Sequence, residues 1–123
     1  VDRHQFLEQA KQRGASAVLI QQPTSIDIPH IIVPDTQLVL QQLAAWYRQQ
    51  FDLPVIALTG SYGKTTTKEM IASILNEWGH THFSKGNLNS EYGAPLSVLQ
   101  LNADHQYAVF ELGANFVGEI AKT

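Results

Sequence analysis

Gly60-Ser-Tyr-Gly-Lys-Thr-Thr66 sets two glycines, a lysine and two consecutive threonines within seven residues. Residues of these types at this spacing suit one task, holding a polyphosphate. Glycines let the backbone approach an anion closely. Lys64 supplies a mobile cation, and the Thr65 hydroxyl stands where a phosphate-binding loop holds Mg²⁺. A lysine at a helix start opposes the helix dipole, so its place there makes better sense with an anion between the two. The common pattern G-x-x-x-x-G-K-[ST] is met only at Gly63-Lys64-Thr65. Its first glycine would fall on Leu58, and the chain has Gly60 instead. The flanks supply what the spacing lacks. Residues 54–59 read as a buried apolar strand and 65–78 as a helix, so loop N–H groups and a helix N-terminus converge on one point. The alternative is a plain glycine turn with Lys64 and the threonines solvated.

Three further groups bear on chemistry. Glu111 ends the apolar run Tyr107-Ala-Val-Phe-Glu-Leu112, the pattern of a parallel strand covered on both faces. Ligands gather at such strand ends, and Mg²⁺ takes one or two carboxylates while keeping several waters. Glu111 with the Thr65 hydroxyl would suit it; alone, Glu111 would read as a strand-end glutamate facing water. In Lys85-Gly-Asn-Leu-Asn-Ser90, Asn87 and Asn89 could donate to phosphate, although asparagine and glycine also simply form turns. His80 and His82 share one face of a short strand. No third ligand is evident nearby, so a packed or surface role is expected, and His4, His30 and His105 stand isolated.

The elements that must position these groups are short. A helix is expected over 3–13, stopped by Gly14, then strands over 17–20 and 30–33. Asp35 suits the N-cap of a helix over 36–50. Val39, Leu43, Trp46 and Tyr47 make one apolar stripe on it, read as core. Residues 51–54 form a connector and the expected domain boundary. The helix after the glycine loop carries Met70, Ile71, Ile74, Leu75 and Trp78 on a face also read as core. A strand over 80–83, a short helix from Pro95, the strand 107–112 and a helix from Glu119 complete an α/β chain with a mostly parallel sheet.

Composition narrows the class. The 123 residues suffice for one modest domain or parts of two. With 44% hydrophobic and 15% charged residues, the chain reads as folded. A formal charge of −3 argues against broad nucleic-acid contact. The absence of cysteine excludes disulfides and thiolate chemistry. No apolar run reaches the roughly 20 residues of a membrane span, and no signal-peptide core opens the chain. A cytoplasmic setting is the expectation. The chain starts without methionine, which suggests a cut from a longer polypeptide. The sequence does not specify an oligomeric state; a monomer is expected.

Three stretches together carry a family resemblance: Gly60-Ser-Tyr-Gly-Lys-Thr-Thr-Thr-Lys-Glu-Met70, Gly86-Asn-Leu-Asn-Ser-Glu-Tyr-Gly-Ala-Pro-Leu96 and Glu111-Leu-Gly-Ala-Asn-Phe-Val-Gly-Glu-Ile120. They resemble the Mur ligases, the ATP-dependent amide-forming enzymes of bacterial peptidoglycan precursor synthesis. Within that family they are most similar to the branch that joins D-Ala-D-Ala to UDP-MurNAc-tripeptide. The resemblance extends upstream through the first helices and strands.

It implies ATP and Mg²⁺ as cofactors and an acyl-phosphate intermediate. By it, Gly60, Ser61, Tyr62, Gly63, Lys64, Thr65 and Thr66 would bind ATP, and Lys64 and Glu111 would carry catalysis. Thr65 and Glu111 would hold the metal; Asn87, Asn89 and Asn115 would line the junction of phosphate and substrate. Residues 1–53 would end an N-terminal UDP-sugar-substrate domain, and 54–123 would begin the central ATP-binding domain. The family's second metal-binding histidine, its carbamylated lysine and its C-terminal domain would lie past Thr123; Lys122 follows the Glu111 strand too closely to be that lysine. The 123 residues alone are therefore not expected to ligate. A folylpolyglutamate-type or other Mur ligase, a nucleotide-binding module without catalysis, and a structural α/β domain are the competing readings.

Overall fold

The computed structural model describes residues 6–86 and 88–113. In order, these form α1 (Leu7–Gln12), β1 (Val18–Ile20), β2 (His30–Ile32), α2 (Thr36–Arg48), β3 (Val55–Leu58), α3 (Lys64–Asn76), β4 (Thr81–Phe83), α4 (Gly93–Val98) and β5 (Tyr107–Glu111). Contacts divide the chain into two units, residues 1–39 and 40–123, and the division falls within α2. The helix expected from Glu119, and the first residues of the one expected over 3–13, lie outside the described residues.

In the first unit β1 and β2 pair in parallel, Val18 opposite His30 and Ile20 opposite Ile32. Leu7, Ile20 and Ile28 are its buried apolar side chains. Asp35 caps α2 as its residue type suggests: its Oδ1 accepts the N–H groups of Gln37 at 2.9 Å and Leu38 at 3.0 Å.

The second unit holds a three-stranded parallel sheet ordered β3-β5-β4. The last strand in sequence thus lies between the other two. That place explains its near-continuous apolar run, because a central parallel strand is covered on both faces. Ala108 and Phe110 pack with Leu53 and Leu101, flanked by Tyr47, Phe51, Val98 and Leu112. Tyr47 donates its hydroxyl to the Leu101 carbonyl at 2.8 Å. Arg48 donates to the carbonyls of Phe51 and Leu53, which pins the connector 51–54 to the end of α2.

Of the two apolar stripes read as core, only part is covered by the described residues. On α2, Ala44 is buried while Leu43 and Trp46 are exposed and Tyr47 is half-buried. On α3, Lys68 and Ala72 are buried, Ile71 and Leu75 are half-buried, and Met70 and Ile74 are exposed; Trp78, two residues past the helix end, is 71% exposed. Period counting favours the largest apolar groups, whereas packing on β5 uses the small Ala72, which lets the helix come close. The strand before the loop was expected to be buried, yet Val55, Ile56 and Ala57 of β3 are exposed.

Candidate active site

Register builds the site. Leu58 of β3 stands opposite Glu111 of β5, so the strand that feeds the glycine loop ends beside the strand that ends in a carboxylate. The chain then turns through residues 59–63 and enters α3 at Lys64. Gly63, the residue before the helix, has φ +72°, a left-handed conformation that strains any residue with a side chain. Nothing lies within 4 Å of a Cβ placed there, so the requirement for glycine is conformational and not one of space. The first helical bond of α3 runs from the Thr67 N–H to the Gly63 carbonyl at 2.9 Å. The N–H groups ahead of it have no partner within the helix and are available to an anion. Lys64 folds back and donates to the Gly60 carbonyl at 2.6 Å, which closes the loop on itself. Tyr62 is 97% exposed at the loop tip.

Glu111 is only 2% exposed, and both its oxygens are engaged. Thr65 donates its hydroxyl to Oε2 at 3.1 Å, and Asn89 donates its amide to Oε1 at 2.9 Å. The Lys68 ammonium lies 3.6 Å from Oε2. Burial pushes the Glu111 carboxyl up, but the hydrogen bonds from Asn89 and Thr65 and the charges of Lys68 and Lys64 outweigh it and hold the group below its ordinary value. The site therefore keeps an ionised carboxylate ready in a buried setting. Thr65, Asn89 and Glu111 are thus brought together; Asn87 and Asn115 lie outside the described residues.

The oxygen of Thr65 and a carboxylate oxygen of Glu111, adjacent at 3.1 Å, form a hard donor pair of the kind Mg²⁺ accepts with phosphate and water filling the other positions. Among the described residues no group of three or more His, Cys, Asp or Glu side chains is arranged to hold a metal by itself. The donor set thus fits a cation that arrives with phosphate.

A buried polar chain runs from the backbone of Glu111. The Glu111 N–H donates to Ser84 Oγ at 3.2 Å, Ser97 donates to Ser84 at 3.2 Å, and Ser97 meets His82 Nε2 at 3.2 Å. Sequence reasoning passed over both serines. The available signal was a hydroxyl inside the apolar run Pro95-Leu-Ser-Val-Leu99, too common a pattern to mark a site. The fold likewise sets Lys68 fully buried beside Glu111. His105, read as isolated, stacks on His80 with ring centroids 4.7 Å apart and meets His82 at 5.2 Å.

Burial pushes His82 down from 6.5 to about 4, His105 and Lys85 push the same way, and Ser97 opposes them. The folded chain thus holds His82 neutral where the unfolded chain would protonate it. This contribution to stability is complete above pH 6.5 and is lost as pH falls towards 4. The loss is about 3 kcal/mol when the full shift is traversed. Urea unfolding is expected to show this decline, and His82→Gln is expected to flatten it. Equal profiles for the two proteins would rule out His82 as the source.

The family description Mur ligase middle domain matches residues 58–123. A curated relative, UDP-N-acetylmuramoyl-tripeptide--D-alanyl-D-alanine ligase of Escherichia coli (strain K12), is 52% identical over 122 residues, covering 99% of this chain and 27% of the relative. A crystal structure of MurF from Acinetobacter baumannii is similar with a TM-score of 0.92 at 47% identity, covering 99% of this chain and 27% of that one. The crystal structure of MurF ligase from Thermotoga maritima in complex with ADP is similar with a TM-score of 0.84 at 34% identity, covering 97% of this chain and 28% of that one. The chain spans about a quarter of the length of the curated relatives it matches.

Proposed function

The chain belongs to the Mur ligase family, and from that premise we propose that its residues form the phosphate and metal half of the nucleotide site in an ATP-dependent ligase. The ligase joins D-alanyl-D-alanine to a UDP-N-acetylmuramoyl-tripeptide. The observation that carries this reading is the 3.1 Å link from Thr65 to Glu111, which ties the glycine loop to a buried carboxylate 46 residues away. The similarity to an ADP-bound MurF supports the nucleotide, and the printed names of the relatives support the two substrates. Residues 54–123 would begin the ATP-binding domain, and residues 1–53 would end the domain that receives the UDP-sugar.

The chemistry divides into two transfers. The terminal phosphoryl group of ATP passes to the carboxylate of the tripeptide, giving an acyl phosphate and ADP. The amine of D-alanyl-D-alanine then attacks the acyl carbon, the amide forms, and inorganic phosphate leaves. Such reactions need positioning and charge stabilisation more than a covalent nucleophile. The N–H groups of residues 60–66 would cradle the phosphates, and Lys64 would exchange the Gly60 carbonyl for a phosphate oxygen. Thr65 and Glu111 would hold Mg²⁺, which when bound neutralises charge on the transferred phosphoryl group. Asn89 would keep Glu111 oriented; Asn87 and Asn115 would line the substrate side.

No helix of the described residues is long and apolar enough to cross a membrane. A cytoplasmic setting is proposed on the ground that ATP and a UDP-linked substrate are used together.

The test is phosphate release by the full-length protein carrying these residues. Release is expected to require ATP, the UDP-muramoyl-tripeptide and D-alanyl-D-alanine together, with a new amide in the product. Nucleotide binding without turnover in the presence of all three would instead favour a binding module.

A further inference from the structure

Lys68 stands one helical turn after Lys64 on α3, and its ammonium is fully buried. It lies 3.6 Å from Glu111 Oε2 and 3.4 Å from Glu69 Oε1, and it has no hydrogen-bond partner among the described residues. Burying a cation without a hydrogen bond is costly, and an apolar pair in place of Lys68 and Glu111 would pack there without that cost. Packing therefore does not account for the residue. Its position against the carboxylate that would hold the metal does.

The local charge balance is unusual for a cation site. One buried carboxylate, Glu111, faces the charges of both Lys68 and Lys64. Glu69, the other carboxylate near Lys68, has a side chain 55% exposed, so water screens it. A divalent cation approaching Thr65 and Glu111 alone would meet a carboxylate already compensated and a fixed positive charge behind it. Polyphosphate brings enough negative charge to reverse that balance. We propose that Lys68 is a positioning residue that makes divalent-cation binding at Glu111 and Thr65 conditional on a bound nucleotide. The proposal rests on the reading of the loop as an ATP site. It gives the ligase an order of assembly in which metal enters with nucleotide and does not occupy the carboxylate first. The buried ammonium, 3.6 Å from Oε2, would also help hold that oxygen in place for a cation carried by Thr65 and Glu111.

Mn²⁺ serves as the probe, followed by electron paramagnetic resonance in the full-length protein with and without ADP. Wild type is expected to bind Mn²⁺ weakly alone and at least about tenfold more tightly with ADP. In Lys68→Met, binding of Mn²⁺ alone is expected to tighten about tenfold, so that the dependence on ADP shrinks. Lys68→Arg keeps the charge and is expected to keep the dependence, whereas a structural role alone would leave Mn²⁺ binding without ADP unchanged in Lys68→Met. Lys68→Met that binds Mn²⁺ alone no more tightly than wild type, while still binding it with ADP, overturns the proposal and leaves the ATP site standing. Wild type that fails to bind Mn²⁺ with ADP overturns the ATP site and the proposal with it. If Lys68→Met does not fold, wild type still decides the matter: equal Mn²⁺ affinity with and without ADP overturns the proposal.

Discussion

Glu111→Ala is expected to destabilise the fold by about 3–5 kcal/mol, the range for removing one partner of a buried ion pair. The alanine leaves the Lys68 ammonium buried with only the screened Glu69 beside it. It also strips the Asn89 amide and the Thr65 hydroxyl of the acceptors they now use. The cost comes mostly from the orphaned cation, so it should be recoverable. Glu111→Ala combined with Lys68→Met is expected to regain much of the loss, with a coupling energy well above the few tenths of a kcal/mol of independent sites. Denaturant midpoints of the four proteins in the cycle measure this. A single-variant loss below about 1 kcal/mol would mean that the pair is not the buried, mutually dependent unit its geometry describes. In the ligase reading neither Glu111 variant should ligate, since the carboxylate proposed to hold the metal is gone.

Lys64→Ala is expected to act on chemistry and leave stability alone. Lys64 is half-exposed, and its one described hydrogen bond goes to the Gly60 carbonyl, which water can replace. In the ligase reading the same ammonium stabilises charge on the transferred phosphoryl group. Losing such a donor costs on the order of 10²–10³ in turnover. Calorimetric titration with Mg-ADP should show weaker binding, and the melting temperature should stay within about a degree of wild type, as for a surface substitution. Lys64→Arg is expected to recover little, because a planar guanidinium does not fit where a compact ammonium reaches over the loop. Equal Mg-ADP affinity and equal turnover in wild type and Lys64→Ala would count against the loop as the phosphate site.

The two substitutions probe parts of the site that differ in how far they can be read from residue order. The loop is local. Glycine, lysine and threonine types within seven residues, set between an apolar strand and a helix, are enough to suggest a phosphate cradle, and the irregular place of Gly60 does not undo the suggestion. Gly63 then takes the left-handed conformation that only glycine adopts without strain. Asp35 capping α2 is legible for the same reason, since a side-chain oxygen two or three residues from the N–H groups it accepts needs no tertiary help. The central place of β5 shows in its unbroken apolar run.

Helix faces were less legible. Large apolar groups on α3 marked a face by periodicity, but among the described residues the helix buries Lys68 and Ala72 and leaves Met70 and Ile74 exposed. The stripe on α2 misled in the same way, because Ala44 is buried where Leu43 and Trp46 are not. Small residues decide how closely a helix can pack, and hydrophobicity alone does not rank them first. The meeting of His80, His82 and His105 was hidden because the third ring comes from the far side of α4 in sequence.

The sequence by itself determined the residue types and the strand–loop–helix setting of the loop, the strand that ends in a carboxylate, and an α/β fold with a parallel sheet. Each rests on interactions within a few residues, or on the two-residue and 3.6-residue periods of the backbone. Tertiary structure decided that Thr65 and Asn89 take separate oxygens of Glu111, that Lys68 is buried against the same carboxylate, and that two serines and His82 form a chain from its backbone N–H. Those pairings follow from β5 inserting between β3 and β4 and from the register that sets Leu58 against Glu111. Register and strand order minimise the free energy of the whole sheet, so no single stretch of the chain carries them.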